Sequence, residues 1–144
     1  MNPDDLREKS IRIRTVSDYF SRMKGLIGTP PDELGCDAIH IKPCRSVHTF
    51  GMKYPIDLAF VSADGTILGI RKCVEPNQIC SSPSGTRSIV ERPSSALPWL
   101  EMGEAVIPSA SDRADTSDTP SKPDSSLAEQ KTSNHLASYT ISKN

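Results

Sequence analysis

Pro43-Cys44-Arg45-Ser46-Val47-His48-Thr49-Phe50-Gly51-Met52-Lys53-Tyr54-Pro55-Ile56-Asp57-Leu58-Ala59-Phe60 is the stretch that decides the fold. Pro43 and Pro55 each fix their own φ and push the preceding residue towards extended geometry, so no single helix fits the segment between them. Beyond Pro55, Ile56, Leu58 and Phe60 alternate with Asp57, Ala59 and Val61. That period of two predicts a strand with one strongly apolar face and with Asp57 turned away from it. Ala63-Asp64-Gly65-Thr66 follows, and Asp-Gly between apolar runs signals a β-hairpin whose return strand covers about Thr66 to Val74. A polar loop thus enters a hairpin, the kind of rigid support on which sites are often carried.

Upstream, Ile11 and Ile13 alternate with Arg12 and Arg14, which predicts a short first strand with a basic outer face. Ser17-Asp18 can cap a helix in which Val16, Tyr19/Phe20, Met23 and Leu26/Ile27 recur at helical spacing. Gly25 weakens the end of that helix, and Gly28 with Pro30-Pro31 stops it. Cys36 to Lys42 predicts another strand with Ile39 and Ile41 on its inner face. Downstream, Glu75 to Gly85 reads as loop and Thr86 to Glu91 as a short strand. Pro93 to Leu100 has room for a helical turn capped by Ser94 or Ser95, and Ala105 to Ile107 reads as the last strand, ended by Pro108. The expected fold is α+β and predominantly β: six or seven short strands in a small barrel-like antiparallel or mixed sheet, with one N-terminal helix.

The chain has 144 residues, enough for one domain. Residues 1–9 form a polar lead-in and 10–108 the expected domain. In 109–144 Ser, Thr, Asp, Lys and Ala dominate, a composition that buries too little apolar surface to offset its ordering entropy, so this tail is expected to be disordered. Within it, His135 to Ile141 is less polar and could act as a short docking peptide. A net charge of −1 gives no reason to expect nucleic acid or an anionic membrane as partner. No window approaches the roughly 20 apolar residues of a membrane span, and the charged start lacks the apolar core of a signal peptide. The expected location is therefore cytoplasmic.

Four cysteines stand at positions 36, 44, 73 and 80, without the paired Cys-x-x-Cys of a strong zinc site. Cys44, His48, Cys73 and Cys80 could supply four ligands of a structural zinc only if folding gathers them, and the leading expectation is no metal and no cofactor. Cys44 and His48, four apart in the central loop, could alternatively be nucleophile and base of a small hydrolase or transferase, with Arg45 favouring a thiolate. As a bland alternative, Cys44 packs as a small apolar group and His48 hydrogen-bonds the loop.

The run from Cys44 to Phe60, with Asp64-Gly65 after it, resembles the DUF192 family of small bacterial and archaeal proteins. Arg22-Met23-Lys24-Gly25-Leu26-Ile27-Gly28 resembles the family's Arg-x-x-Gly-Leu-hydrophobic-Gly block. Ile89-Val90-Glu91-Arg92-Pro93 resembles its Glu-x-Pro block, and Gly103-Glu104-Ala105-Val106 resembles the turn before its final strand. The resemblance spans roughly residues 10 to 108 and implies a compact, mostly β fold, without an established activity. It directs attention to Arg22, His48, Asp57 and Glu91, which occupy positions the blocks share. With Arg45 these form a candidate site for an unknown small polar ligand or partner protein. His48 with Asp57 or Glu91 could also move protons near neutral pH. A buried Arg–carboxylate network with a purely structural role would look the same in sequence.

Overall fold

A computed structural model describes residues 9–17, 22, 24–108 and 134–143. Nine strands are present among them: β1 (Lys9–Val16), β2 (Ala38–Ile41), β3 (Ser46–His48), β4 (Ile56–Val61), β5 (Ile67–Val74), β6 (Ile79–Ser81), β7 (Ser88–Pro93), β8 (Glu104–Pro108) and β9 (Asn134–Lys143). Seven of them form one sheet in the order β5-β4-β7-β2-β1-β9-β8, while β3 and β6 pair as a separate ribbon. Only β1 and β2 run parallel in the large sheet. Its two outer strands meet: Thr66 bridges to Ala105, Val106 N–H donates to the Gly65 carbonyl at 2.9 Å, and Gly103 N–H donates to the Ile67 carbonyl at 2.9 Å. The sheet is therefore nearly closed into a barrel. Gly65 makes that approach possible: its φ is +89°, and a Cβ there would stand 3.0 Å from the Val106 carbonyl oxygen.

The alternation read from residues 56–61 is real, and both of its faces are buried. Leu58, Phe60 and Ile56 pack with Ile39, Ile41 and Ile89 in one apolar cluster. Ala59 and Val61 pack with Ile13, Val90, Trp99 and Tyr139 in a second cluster inside the barrel. The first cluster lies under the 24–54 segment and the β3–β6 ribbon, from which Leu26, Leu34, Met52 and Cys80 contribute. The central strands β2, β4 and β7 are thus covered on both sides, and this two-layer cover sets up the site described below.

The helix expected around residues 17–27 falls largely on residues 18–21 and 23, outside the described set; Arg22 and Lys24 beside them are helical, and a 3₁₀ turn spans Pro31–Glu33. Three expectations need correction. The stretch 75–85 holds β6, because Cys80 is buried against the 56–60 face and Thr49 anchors the ribbon: its hydroxyl donates to the Glu75 carbonyl at 2.7 Å and accepts from Gln78 N–H at 2.8 Å. Residues 94–100 form no helical turn, since their carbonyls are turned towards Arg92. Finally, β8 is not the last strand. Residues 134–143, placed by composition in a tail without regular structure, form β9 between β1 and β8. Ala137, Tyr139 and Ile141 recur with period two and enter the barrel core, and the Tyr139 hydroxyl lies 3.0 Å from Thr15 Oγ1. Residues 109–133 lie outside the described set.

If β9 is a stave of the barrel, Tyr139→Ala should cost about 3–5 kcal/mol, the usual cost of removing a buried aromatic ring. Urea denaturation measures it. An unchanged midpoint would mean that residues 134–143 do not complete the core.

Candidate functional site

Successive residues of a strand point to opposite faces, and this rule divides the predicted site residues into two groups. On β7, Ile89 lies on the 56–60 face and Val90 in the barrel, so Glu91 and Arg92 also part company. Across the ladder, Asp57 stands opposite Arg92 and Leu58 opposite Glu91. Asp57 and Glu91 therefore belong to different sites.

The Asp57 group is a closed ion pair. Arg92 Nε donates to Asp57 Oδ2 at 2.9 Å, and Asp57 is 0% exposed. The other carboxylate oxygen accepts Cys73 N–H and Ser94 Oγ–H, each at 2.9 Å. Burial pushes the Asp57 carboxyl up, but the bonds from Cys73, Arg92 and Ser94 outweigh it and hold the group below its usual value. The Arg92 guanidinium also donates to the carbonyls of Leu97, Pro98 and Ser95 and lies 4.2 Å over the Trp99 ring. Every strong partner of Asp57 is internal, and neither Asp57 nor Arg92 lines a described cavity. Arg45 is exposed and likewise lines none of these cavities.

Arg22, His48 and Glu91 do converge. They line a cavity of about 220 Å³ between Arg22, the 25–28 turn, the 43–48 loop and the sheet. Leu26, Ile27, Val47, Met52 and Ile56 supply its apolar wall, and Lys24, Cys44 and Ser46 its remaining polar groups. The 25–28 turn opens on Gly25, with φ +47°; a Cβ at this position would stand 2.9 Å from Glu91 Oε2. The missing side chain lets the backbone press onto the carboxylate, which accepts Leu26 N–H. The Tyr54 hydroxyl holds the far end of the turn by donating to the Thr29 carbonyl at 2.6 Å. Arg22 Nη1 donates to the Pro43 carbonyl at 3.1 Å and so ties the chain before the turn to the central loop.

The electrostatics of the cavity are unbalanced. Glu91 is 5% exposed and takes part in neither ion pair found among the described residues, Arg12–Asp37 and Arg92–Asp57. Burial pushes its carboxyl up to about 7, against the smaller pull of the Leu26 N–H. Arg22 Nε is buried and has no hydrogen-bond partner among the described residues. The Cys44 thiol donates to the Ser46 carbonyl at 3.2 Å. Burial pushes that thiol up, the bond to Ser46 pulls it down, and the Glu91 charge adds to the rise while Arg22 opposes it. His48 is exposed and stacks on Phe50, with ring centroids 5.2 Å apart. Cys44 thus lacks the surroundings of an activated nucleophile.

Among the described residues no three His, Cys, Asp or Glu side chains stand together in a way that could hold a metal ion. Of the four suggested zinc ligands, Cys80 is buried in the apolar cluster and Cys73 is exposed. Sequence reasoning missed two participants. Arg92, the partner of Asp57, sits beside Glu91 in the quoted Glu-x-Pro block, but only the strand register reveals its role. Gly25 was read as a weak helix end, whereas its function is to admit Glu91. A further buried pair, His40 Nε2 and Ser88 Oγ at 2.8 Å, lies within the core; burial and the nearby Lys42 drive the His40 imidazole down to about 3, so it stays neutral.

Glu91 makes stability pH-dependent with a definite sign. Between its usual value of 4.5 and about 7, the folded protein holds a proton that the unfolded chain has released, so stability is fullest below 4.5 and falls as pH rises towards 7. At about 1.4 kcal/mol per unit, the loss amounts to about 3 kcal/mol. Glu91→Gln should lack this fall and gain about 3 kcal/mol on wild type between pH 4.5 and pH 8. Parallel stability profiles from urea denaturation for the two proteins would refute it.

Two solved structures align with the chain, the first closely enough to share the fold. A protein of unknown function from Novosphingobium aromaticivorans DSM 12444 aligns with a TM-score of 0.50 and 19% identity over 58% of this chain and 63% of that one, so this chain spans less than two thirds of its length. A protein from Sinorhizobium meliloti 1021, described as a "putative transcription regulator", aligns with a TM-score of 0.48 and 18% identity over 62% of this chain and 84% of that one. No curated protein matches the chain. No helix among the described residues is long and apolar enough to cross a membrane. The family model DUF192, "Uncharacterized ACR", matches residues 2–104, which takes in the turn, the central loop and the strands that carry Arg22, His48 and Glu91: the chain belongs to the DUF192 family.

Proposed function

We propose that this protein is a small-molecule binding module and that its site is the cavity between Arg22, the 25–28 turn and the central loop. One observation carries the reading: a carboxyl that is 5% exposed, outside any ion pair among the described residues, stands in the wall of a cavity of about 220 Å³ that Arg22 and Lys24 also line. Buried polar groups are ordinarily satisfied, and an unsatisfied one costs about 1–3 kcal/mol. A ligand that bonds the Glu91 carboxyl would offset the cost of its burial. The apolar wall would supply affinity and the polar groups orientation, the usual division of labour in ligand pockets.

The site residues of this reading are Arg22, Glu91 and His48, with Cys44 as a neutral thiol in the wall. Arg45 and Asp57 drop out of the candidate set, Arg45 because it faces solvent and Asp57 because its partners are internal. Two measurements test the reading. NMR titration with a library of small polar and amphipathic molecules should shift the resonances of residues 22–27, 44–48 and 91 together, and Val47→Phe, which fills the cavity, should abolish the response. Shifts confined to other surfaces, or none, would overturn it. Iodoacetamide should alkylate Cys44 no faster than an ordinary thiol below pH 7; rapid alkylation there would favour the hydrolase or transferase reading instead.

A further inference from the structure

We propose that the cavity takes a short acidic peptide as a third strand of the β3–β6 ribbon, its main chain antiparallel along the free edge of β3 and one apolar side chain in the cavity. The inference rests on the cavity being a ligand site and adds the ligand's class and its mode of binding.

The ladder fixes which groups of β3 are free. Ser46, Val47 and His48 stand opposite Ser81, Cys80 and Ile79, and one residue further on the Thr49 N–H donates to the Gln78 carbonyl at 2.8 Å. Opposed residues of an antiparallel pair alternate between those that exchange main-chain bonds and those that do not. Thr49 is bonded towards β6, so Val47 is too, and the main-chain N–H and C=O groups of Ser46 and His48 point away from β6. The ribbon has no third strand among the described residues, and no main-chain bond from outside it reaches Ser46 or His48 among them. The Ser46 carbonyl accepts the Cys44 thiol at 3.2 Å and keeps a second lone pair.

That edge borders the cavity. The side chains of Ser46 and His48 are exposed on one face of the ribbon, while Val47 packs on the other against the cluster that holds Leu26, Met52 and Ile56. All three residues line the cavity, and no residue of β6 does. A cavity that meets residues of both faces runs along the edge of the strand. In an antiparallel addition, the peptide residues opposite Ser46 and His48 exchange main-chain bonds with them. The residue between, opposite Val47, turns its side chain to the same apolar face. At about 220 Å³ the cavity is smaller than the roughly 300–1,000 Å³ of sites that enclose a drug-sized ligand. It suits one side chain of a ligand whose remainder lies along the edge.

Charge selects among peptides. Arg22 and Lys24 line the cavity together with Glu91. Even with Glu91 ionised, these three side chains sum to a single positive charge, and Arg45, exposed next to Ser46, adds another. Acidic residues at the two flanking positions complement that charge and steer the encounter. A β-branched aliphatic residue such as valine at the centre fills the apolar wall and favours the extended chain. Main-chain bonds then give affinity and the alternating side chains give specificity, as in other strand additions.

NMR titration of the full chain with acetyl-Glu-Val-Glu amide tests this, together with amide hydrogen exchange. In the free protein the Val47 N–H should be protected and those of Ser46 and His48 should exchange fast; the peptide should protect the latter two. Methylating either glutamate nitrogen removes a donor that faces β3 and should weaken binding about tenfold or more. Methylating the valine nitrogen, which faces away, should change affinity less than about threefold. The Lys-Val-Lys and Glu-Ser-Glu peptides should each bind about tenfold more weakly, the first through like charge and the second through lost apolar burial. Ser46→Pro removes an outward N–H and none of the bonds to β6, so it should weaken the parent peptide about tenfold with Val47 still protected; the methylated peptides carry the test if that variant does not fold. Equal binding by all the methylated peptides, or Ser46 and His48 amides already protected in the free protein, would overturn the added strand while leaving the cavity as a binding site. Tighter binding of the lysine peptide would overturn the acidic class. No response to any peptide, with cavity shifts from the small-molecule library, would overturn the peptide as ligand, and no response to either would remove the cavity as a site as well.

Discussion

The Asp57–Arg92 pair holds together the parts of this fold that local sequence preference does not. It joins two adjacent central strands at 2.9 Å with no exposure of the carboxylate. Through three carbonyls it also gathers the 95–98 segment over the barrel end. Breaking such a pair by removing one partner typically costs about 3–5 kcal/mol, because the other charge stays buried. Arg92 is fully engaged there, and the next residue along the strand must face the opposite way. Glu91 is left on the other layer, without an ionic partner among the described residues. Structural anchor and candidate site are thus consecutive residues of one strand, kept apart by the pleat.

Much of the architecture was legible before any coordinates. The 56–61 alternation, the Asp64-Gly65 hairpin and the Ile11/Ile13 strand are local patterns whose physical cause lies within a few residues, and each appears where the periodicity put it. What failed depended on distant partners. The strand at 134–143 is paired with residues more than 100 positions away, and its apolar triplet is diluted by the polar stretch before it. The ribbon strand β6 is short, and it exists because Thr49 and Cys80 find partners across the fold.

Of the candidate residues, Arg22, His48 and Glu91 line one cavity, whereas Asp57 lies on the other face of the sheet. The division is one of register. From sequence, Asp57 and Glu91 are both carboxylates on central strands, and a one-residue difference in pairing decides whether they meet or face opposite layers. The pairing Asp57↔Arg92 and Leu58↔Glu91 could be seen only in three dimensions. Gly25 shows the same limit: a glycine near a helix end is unremarkable in sequence, yet here it creates the contact between the turn and a buried carboxyl.

The chemistry of the cavity turns on one property, a carboxyl that burial keeps from ionising until about neutral pH. If Glu91 behaved as an ordinary solvated acid, the net charge of the cavity and the pH-dependence of stability would both be different. The direct observation is the ¹³C resonance of the Glu91 side-chain carboxyl followed by NMR from pH 3 to pH 9, assigned with the Glu91→Gln variant. A midpoint near 7 is the result expected of a buried, unpaired acid. A midpoint near 4.5 would show the group to be solvated or paired, and would contradict the picture of a neutral carboxyl waiting in an electropositive cavity.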